Sequence, residues 1–162
     1  MLEIEKIYKQ YQKTVYKYLM CLTKNSDIAE ELTQETFYKM IKKINTYKGQ
    51  ASISVWLCEI AKNLWYDELR KNKKRNLVNE EEQEIVSNEN IEENYIVKEN
   101  ALKVKENINK LDELTQRVLY LRLNSDLSFK EIGEILGKTE TWARVTFYRG
   151  KQKVKEGDCY EE

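Results

Sequence analysis

The chain has 162 residues, with 28 basic and 28 acidic side chains and a formal net charge of zero. That length suits one medium domain or two small ones, and 10% aromatic content is too high for a wholly disordered chain. The absence of histidine removes Ser-His-Asp and Cys-His catalysis, His-ligated zinc and the usual proton shuttle of neutral pH.

With no proline and five glycines, the chain is expected to form long helices joined by short turns. Cys21, Cys58 and Cys159 are isolated from one another and form no CxxC pair. They read as reduced structural thiols of a cytoplasmic protein, with neither a disulfide framework nor a metal or cofactor site. No apolar run approaches the roughly 18 residues of a membrane span. The opening MLEIEKIYKQYQK is amphipathic and charged, unlike a secretory signal, so no membrane insertion is expected.

The zero net charge hides a pattern. Residues 1–78 sum to +6, residues 79–113 to −7, residues 114–155 to +5 and the last seven to −4. Two basic blocks around an acidic one fit two modules facing a polyanion, joined by an acidic connector, although solvated helix surface gives the same signs.

In chain order, Ile4, Ile7, Tyr8, Tyr11, Val15, Tyr18, Leu19 and Leu22 recur at steps of three and four, predicting a first amphipathic helix. Asp27 is the expected N-cap of a second, with Glu30 completing a capping box and Ile28, Leu32, Met40, Ile41 and Ile44 on its buried face. The segment NTYKGQASIS holds Gly49 among small polar residues and reads as a loop. A third helix is expected over about 54–74, with Val55, Trp56, Ile60, Leu64 and Leu69 inward and a basic C-terminal end. Residues 76–95 lose the period, become acidic and Asn-rich, and read as a linker. Helical order is expected to resume near Glu92, with a seam of Val97, Ala101, Val104, Ile108 and Leu111. Thr115 is the expected cap of the following helix, whose apolar positions are Val118, Leu119, Leu121 and Leu123.

The segment SFKEIGEILGKTETWARVTFYRGKQKVK is the most informative. Ser128 and Glu131 form a capping-box pair, Gly133 permits close helix approach, Gly137 stops the helix and Thr139 caps the next one. A short helix, a tight glycine turn and a second helix describe a helix-turn-helix. In the second helix Trp142, Val145 and Phe147 are expected inward, while Thr141, Arg144, Tyr148, Arg149 and Lys151 project outward. Such a basic helix fits a DNA major groove, where Arg pairs with guanine and Lys and Thr hold phosphates.

In the N-terminal half, Glu30, Glu31, Gln34 and Glu35 cluster near Phe37 and Tyr38. Without histidine a di-iron site is excluded, and a docking face for a basic partner is the better reading than a bare solvated face. Tyr47, Lys48, Trp56, Lys62, Asn63, Trp65, Tyr66, Arg70 and Lys71 interleave aromatics, cations and an amide, which suits unpaired bases. A core role for Trp56 or Trp65 is the competing reading.

The stretch DIAEELTQETF resembles the D-A-E-D-L-T-Q-E-T-F signature of bacterial sigma factors. YKGQASISVWLCEIAKNLWYDELRK is similar to the stretch that follows it in the extracytoplasmic-function (ECF) group, and LDELTQRVLYLRLNSDLSFKEIGEILGKTETWARVTFYRGK resembles that group's C-terminal domain. The resemblance runs through nearly the whole chain in family order. It implies an all-α protein of two small helical domains, over 1–75 and 96–162, joined by the acidic linker 76–95. It also implies a transcription initiation factor without catalytic residues, whose partners are core RNA polymerase, promoter DNA and an anti-sigma factor.

By the same resemblance, Asp27, Glu30, Glu31, Gln34 and Glu35 fall on the helix that docks on the clamp coiled coil of the polymerase. Tyr47, Lys48, Gly49, Gln50 and Ser52 fall on the loop that captures a base of the −10 element. Trp56, Lys62, Asn63, Asp67, Arg70 and Lys71 fall on the helix that melts and holds that strand. Thr141, Arg144, Thr146, Tyr148, Arg149 and Lys151 fall on the helix that reads the −35 element. The chain departs from the family pattern at Leu111-Asp112, where Leu-Pro is usual, at Trp142, where a small residue is usual, and at Thr146, where Arg is usual. Gln50 stands where an acidic residue is frequent. The rival class is a conventional helix-turn-helix regulator acting on a palindrome without polymerase. A helical enzyme is disfavoured by the lack of histidine, of a Gly-rich phosphate loop and of paired acids.

Overall fold

The computed structural model describes residues 2–76 and 95–156, which fall into two compact units, one on each side of residues 77–94. All regular structure among the described residues is helical, as expected.

In the first unit α1 (Leu2–Thr23), α2 (Ser26–Lys43) and α3 (Ile53–Asn76) each pack on the other two. From α1, Val15, Tyr18 and Leu19 are at most 2% exposed. They meet Ala29, Leu32, Phe37 and Met40 of α2, and Leu57, Cys58, Ala61 and Leu64 of α3 completes the core. Spacings of three and four put each set on one stripe of its helix, which is what lets three helices share a core. Fully burying one such Leu is worth about 1.5–3 kcal/mol. Tyr8 lays its ring edge-on to Phe37, centroids 5.0 Å apart.

Several local expectations change here. The cap of α2 is Asn25, not Asp27: its Oδ1 accepts from the backbone N–H of Asp27 and Ile28. Asp27 therefore lies inside the first turn, where its charge faces the positive end of the helix dipole. Ile41 and Leu69, expected inward, are 51% and 38% exposed. Leu57 and Ala61, which the period does not mark, are fully buried, as is the thiol of Cys58. A short 3-10 turn (Ile44–Thr46) follows α2 and takes up Asn45 and Thr46 of the expected loop, whose last two residues, Ile53 and Ser54, begin α3.

In the second unit α4 (Tyr95–Asn109) packs on α7, α5 (Glu113–Asn124) on α6 and α7, and α6 (Phe129–Leu136) on α7 (Glu140–Glu156). Asp112, not Thr115, caps α5: its carboxylate accepts from both the N–H and the hydroxyl of Thr115, at 3.1 and 2.6 Å. Thr115 is buried instead. The expected capping box of Ser128 and Glu131 is present. Gly137 ends α6 at φ 70, with Gly137 N–H on the Glu134 carbonyl and Lys138 N–H on the Gly133 carbonyl, the paired bonds of a Schellman turn. Thr139 Oγ1 then accepts from Trp142 N–H and starts α7. A Cβ on Gly133 would lie 2.7 Å from the Thr139 carbonyl oxygen, so glycine sets the closeness of α6 to the turn.

The inward residues of α7 are Ala143, Phe147 and Gly150, with Gly150 set against Thr115 and Leu119 of α5. Trp142 is half-buried, whereas Val145 is exposed, contrary to expectation. Val104 and Leu123, also expected to be apolar contacts, are 45% and 66% exposed, and the unanticipated Leu127 is 1% exposed. Asn107 of α4 donates to the Val154 carbonyl of α7 at 3.1 Å. Apart from its end residues in α3 and α4, the expected linker 76–95 lies outside the described residues. So do Glu92, Cys159 and the rest of 157–162; of Val97 and Ala101 in α4, only the backbone is described.

Candidate nucleic-acid and protein interfaces

Three surfaces carry the residues singled out in the sequence. On α2, Asp27, Glu30, Glu31, Gln34 and Glu35 are all exposed, opposite the buried Ala29, Leu32, Thr33, Thr36, Phe37 and Met40. The two threonines are accommodated because their hydroxyls donate to the Ala29 and Leu32 carbonyls. Phe37 thus belongs to the core and Tyr38 to the surface. The acidic stripe runs on into Tyr38, 58% exposed, and Ile41. Lys42 sits over the Tyr38 ring at 4.4 Å. This apolar end of the stripe was missed because the helical period alone had placed Ile41 inward.

The second surface is the loop between α2 and α3 with the outer face of α3. Gly49 (φ 73) makes the tip, flanked by exposed Lys48 and Gln50. Tyr47 is half-buried, its ring 4.9 Å from Trp56 and its hydroxyl donating to the Ala51 carbonyl. The two rings form the wall of the loop, so they brace it as well as offering aromatic surface. Ser52 holds the start of α3, its Oγ accepting from Val55 N–H and lying 3.0 Å from Ser54 Oγ. Further along α3, Asn63, Arg70 and Lys71 are exposed, Lys62 and Asp67 half-buried. Asp67 Oδ1 accepts from Arg70 at 2.5 Å. At about 1.5 Å per residue, Trp56 to Lys71 spans roughly 22 Å of helix, long enough to follow several nucleotides. Trp65 is half-buried and Tyr66 44% exposed.

The third surface is α7. Thr141, Arg144, Tyr148, Arg149 and Lys151 are exposed as expected, and Thr146 is half-buried. Arg144 pairs with Glu140 at 2.9 Å and lies 5.6 Å from the Phe129 ring. Arg122 covers the same ring at 4.3 Å and donates to the Leu127 carbonyl. Tyr148 leans on Phe147 and Phe129, with centroids at 5.3 and 6.2 Å. Aromatic support thus fixes Arg144 and Tyr148 at the helix surface before any ligand arrives. Among the described residues no carboxylate pairs with Arg149, which leaves its fork available for two parallel hydrogen bonds.

One unit carries a helix-turn-helix with a basic outer helix and the other, of three helices, carries an acidic stripe, the features of a DNA-binding class of protein with a second, oppositely charged surface. The family model "Sigma-70 region 2" matches residues 7–75, and "Sigma-70, region 4" matches residues 102–154. RNA polymerase sigma factor YlaC of Bacillus subtilis is 31% identical, over 94% of this chain and 90% of its own. ECF RNA polymerase sigma factor SigM of the same organism is 26% identical, over 94% and 93%. The sigma factor RpoE of Bartonella quintana, solved in complex with the anti-sigma factor NepR, shares the fold, with a TM-score of 0.71 at 17% identity over 100% of both chains. The chain belongs to the sigma-70 family of RNA polymerase sigma factors, in the ECF group, whose function is to direct the polymerase to promoters. Among the described residues no helix is long and apolar enough to cross a membrane.

Proposed function

We propose that the three surfaces divide the work of promoter-directed initiation. The outer face of α2, through Asp27, Glu30, Glu31, Gln34 and Glu35, docks on the clamp coiled coil of core RNA polymerase. The loop at Tyr47, Lys48, Gly49, Gln50 and Ser52 captures a base of the −10 element. Trp56, Lys62, Asn63, Asp67, Arg70 and Lys71 hold the opened strand, where stacking and pocket contacts offset a few kcal/mol of unstacking. The α7 face of Thr141, Arg144, Thr146, Tyr148, Arg149 and Lys151 reads the −35 duplex. On this reading residues 1–75 and 96–162 are separate polymerase/−10 and −35 domains. The protein works in the cytoplasm, supplies no catalytic group of its own, and is held in check by an anti-sigma partner that covers these faces.

The observation that carries this reading is the opposition of surface chemistries. The α2 stripe is acidic with an apolar end and repels a polyanion, so its partner is a protein. The α7 face is cationic, with Arg149 unpaired among the described residues, so its partner is a polyanion. Charge reversal at Glu31 and Glu35 to Lys is expected to weaken association with core polymerase at least tenfold. Arg149→Ala is expected to cost about 1–3 kcal/mol in promoter-specific initiation while polymerase association holds. Pull-down with core polymerase and run-off transcription separate the two. Equal loss of both activities in Arg149→Ala contradicts the assigned roles.

A further inference from the structure

Val145 is 39% exposed, although helical periodicity placed it with the core. Its position on α7 explains the discrepancy. Taking about 100° per residue, Val145 lies about 165° round the helix from the centre of the buried seam of Ala143, Phe147 and Gly150. It therefore stands near the apex of the outer face. Thr141 and Arg149 lie one turn before and after it, and Arg144 and Tyr148 lie together to one side of it.

An aliphatic side chain at that place gains nothing from the fold. β-Branched residues are weaker helix formers than the Ala, Lys or Glu that a solvated face ordinarily carries. Exposed Arg144 and Arg149 stand on either side of it and exposed Lys151 lies further along the same helix, so the surface it points toward is anionic. The large apolar side chains exposed on α7 are Val145 and Tyr148, and the Tyr148 ring is already leaned against Phe129 and Phe147. In the floor of a DNA major groove the apolar feature is the 5-methyl group of thymine.

We propose that Val145 is a specificity determinant that packs its methyls on the 5-methyl group of a thymine in the −35 element. The inference rests on the reading of α7 as the groove-entering helix and adds to it a base preference and the residue that sets it. Thymine is selected over cytosine at that step by an apolar contact, while Arg144 and Arg149 supply the hydrogen-bonded contacts on either side.

The test uses a promoter fragment obtained by mapping start sites made by the protein with core polymerase. Each thymine of its −35 region, on either strand, is replaced in turn by deoxyuridine, which removes the methyl and keeps every base-pairing group. Binding of the polymerase-bound protein is then measured. At one thymine the substitution is expected to weaken binding by about fourfold, the loss of one buried methyl. Val145→Ala, which keeps the helix and removes the contacting methyls, is expected to bind the two fragments equally. If no deoxyuridine position weakens the wild-type protein, or if Val145→Ala keeps the wild-type sensitivity, the proposal is overturned. Arg149→Ala on the unmodified fragment separates the two levels. If it binds as tightly as wild type, the placement of α7 in the groove fails. If it weakens while deoxyuridine stays silent, only the role of Val145 fails.

Discussion

Lys24, between α1 and α2, is the non-glycine residue with positive φ among the described residues, at 53°. Its N–H bonds the Met20 carbonyl, so the left-handed turn that ends α1 also aims Asn25 at the start of α2. A Cβ in that region costs about 1 kcal/mol. Lys24→Gly is expected to raise unfolding free energy by about 0.5–1 kcal/mol in denaturant titration, with polymerase association unchanged. Asp112 makes the opposite case. The Thr115 hydroxyl holds its carboxyl below the ordinary carboxylate value, opposed by desolvation and aided by backbone N–H groups and the Lys153 charge. The folded carboxyl thus titrates below the unfolded one. Its contribution is complete above the ordinary carboxylate range and is lost as pH falls through the folded value. Asp112→Ala is expected to cost about 1 kcal/mol at neutral pH, the worth of an N-cap. Asp112→Asn is expected to flatten the acid limb of a pH–stability curve. Residue-scale legibility failed at these caps for a plain reason. Asn25, Ser26 and Asp27 are all competent caps, as are Asp112 and Thr115, and the preceding turn rather than the cap chemistry decides which one leads.

At the scale of the element, the tightest demand lies in the turn between α6 and α7. An added methyl on Gly133 would meet Thr139 backbone atoms at 2.7 and 2.8 Å, and backbone cannot rotate away. Gly133→Ala is expected to lower unfolding free energy by about 1–3 kcal/mol. It should weaken promoter-specific binding more than polymerase binding, because it displaces the start of α7. Circular dichroism melts and the two binding assays read this out. The frame of the helix-turn-helix is legible because each part is a local rule (capping box, Schellman glycine, next cap), although the phase of Val145 on α7 is not. The phases of α2, α3 and α5 were read less well. Ile41, Leu69 and Leu123 are placed inward by the period because an apolar residue on the right stripe is a core residue by default, yet Leu69 and Leu123 lie in the C-terminal parts of their helices and Ile41 ends the acidic stripe of α2. A period marks one face of a helix, and where that face outruns its neighbour the same residues become surface.

At the scale of the molecule, the pattern of charge is the part of the function that composition concealed. The two basic blocks contain the α3 and α7 surfaces, and the acidic stripe of α2 lies within the first of them. The division of the described residues into two units, with separate cores, was visible from the loss of helical period after residue 76. The partner proposed for each surface comes from the resemblance, because exposure and charge select a surface without naming its partner. Two weak DNA contacts on separate units gain strength when a third body fixes their spacing, since the second contact then forms at raised effective concentration. The free protein is therefore expected to bind promoter duplex weakly and with steep salt dependence.

The most direct measurement combines the purified protein, core RNA polymerase and genomic DNA fragments, with the start sites of new transcripts mapped. New starts should appear only when protein and polymerase are both present, downstream of a shared pair of short motifs at constant spacing. Failure to associate with core polymerase, or tight binding to a palindrome by the protein alone, would contradict its action as a polymerase-mounted promoter reader.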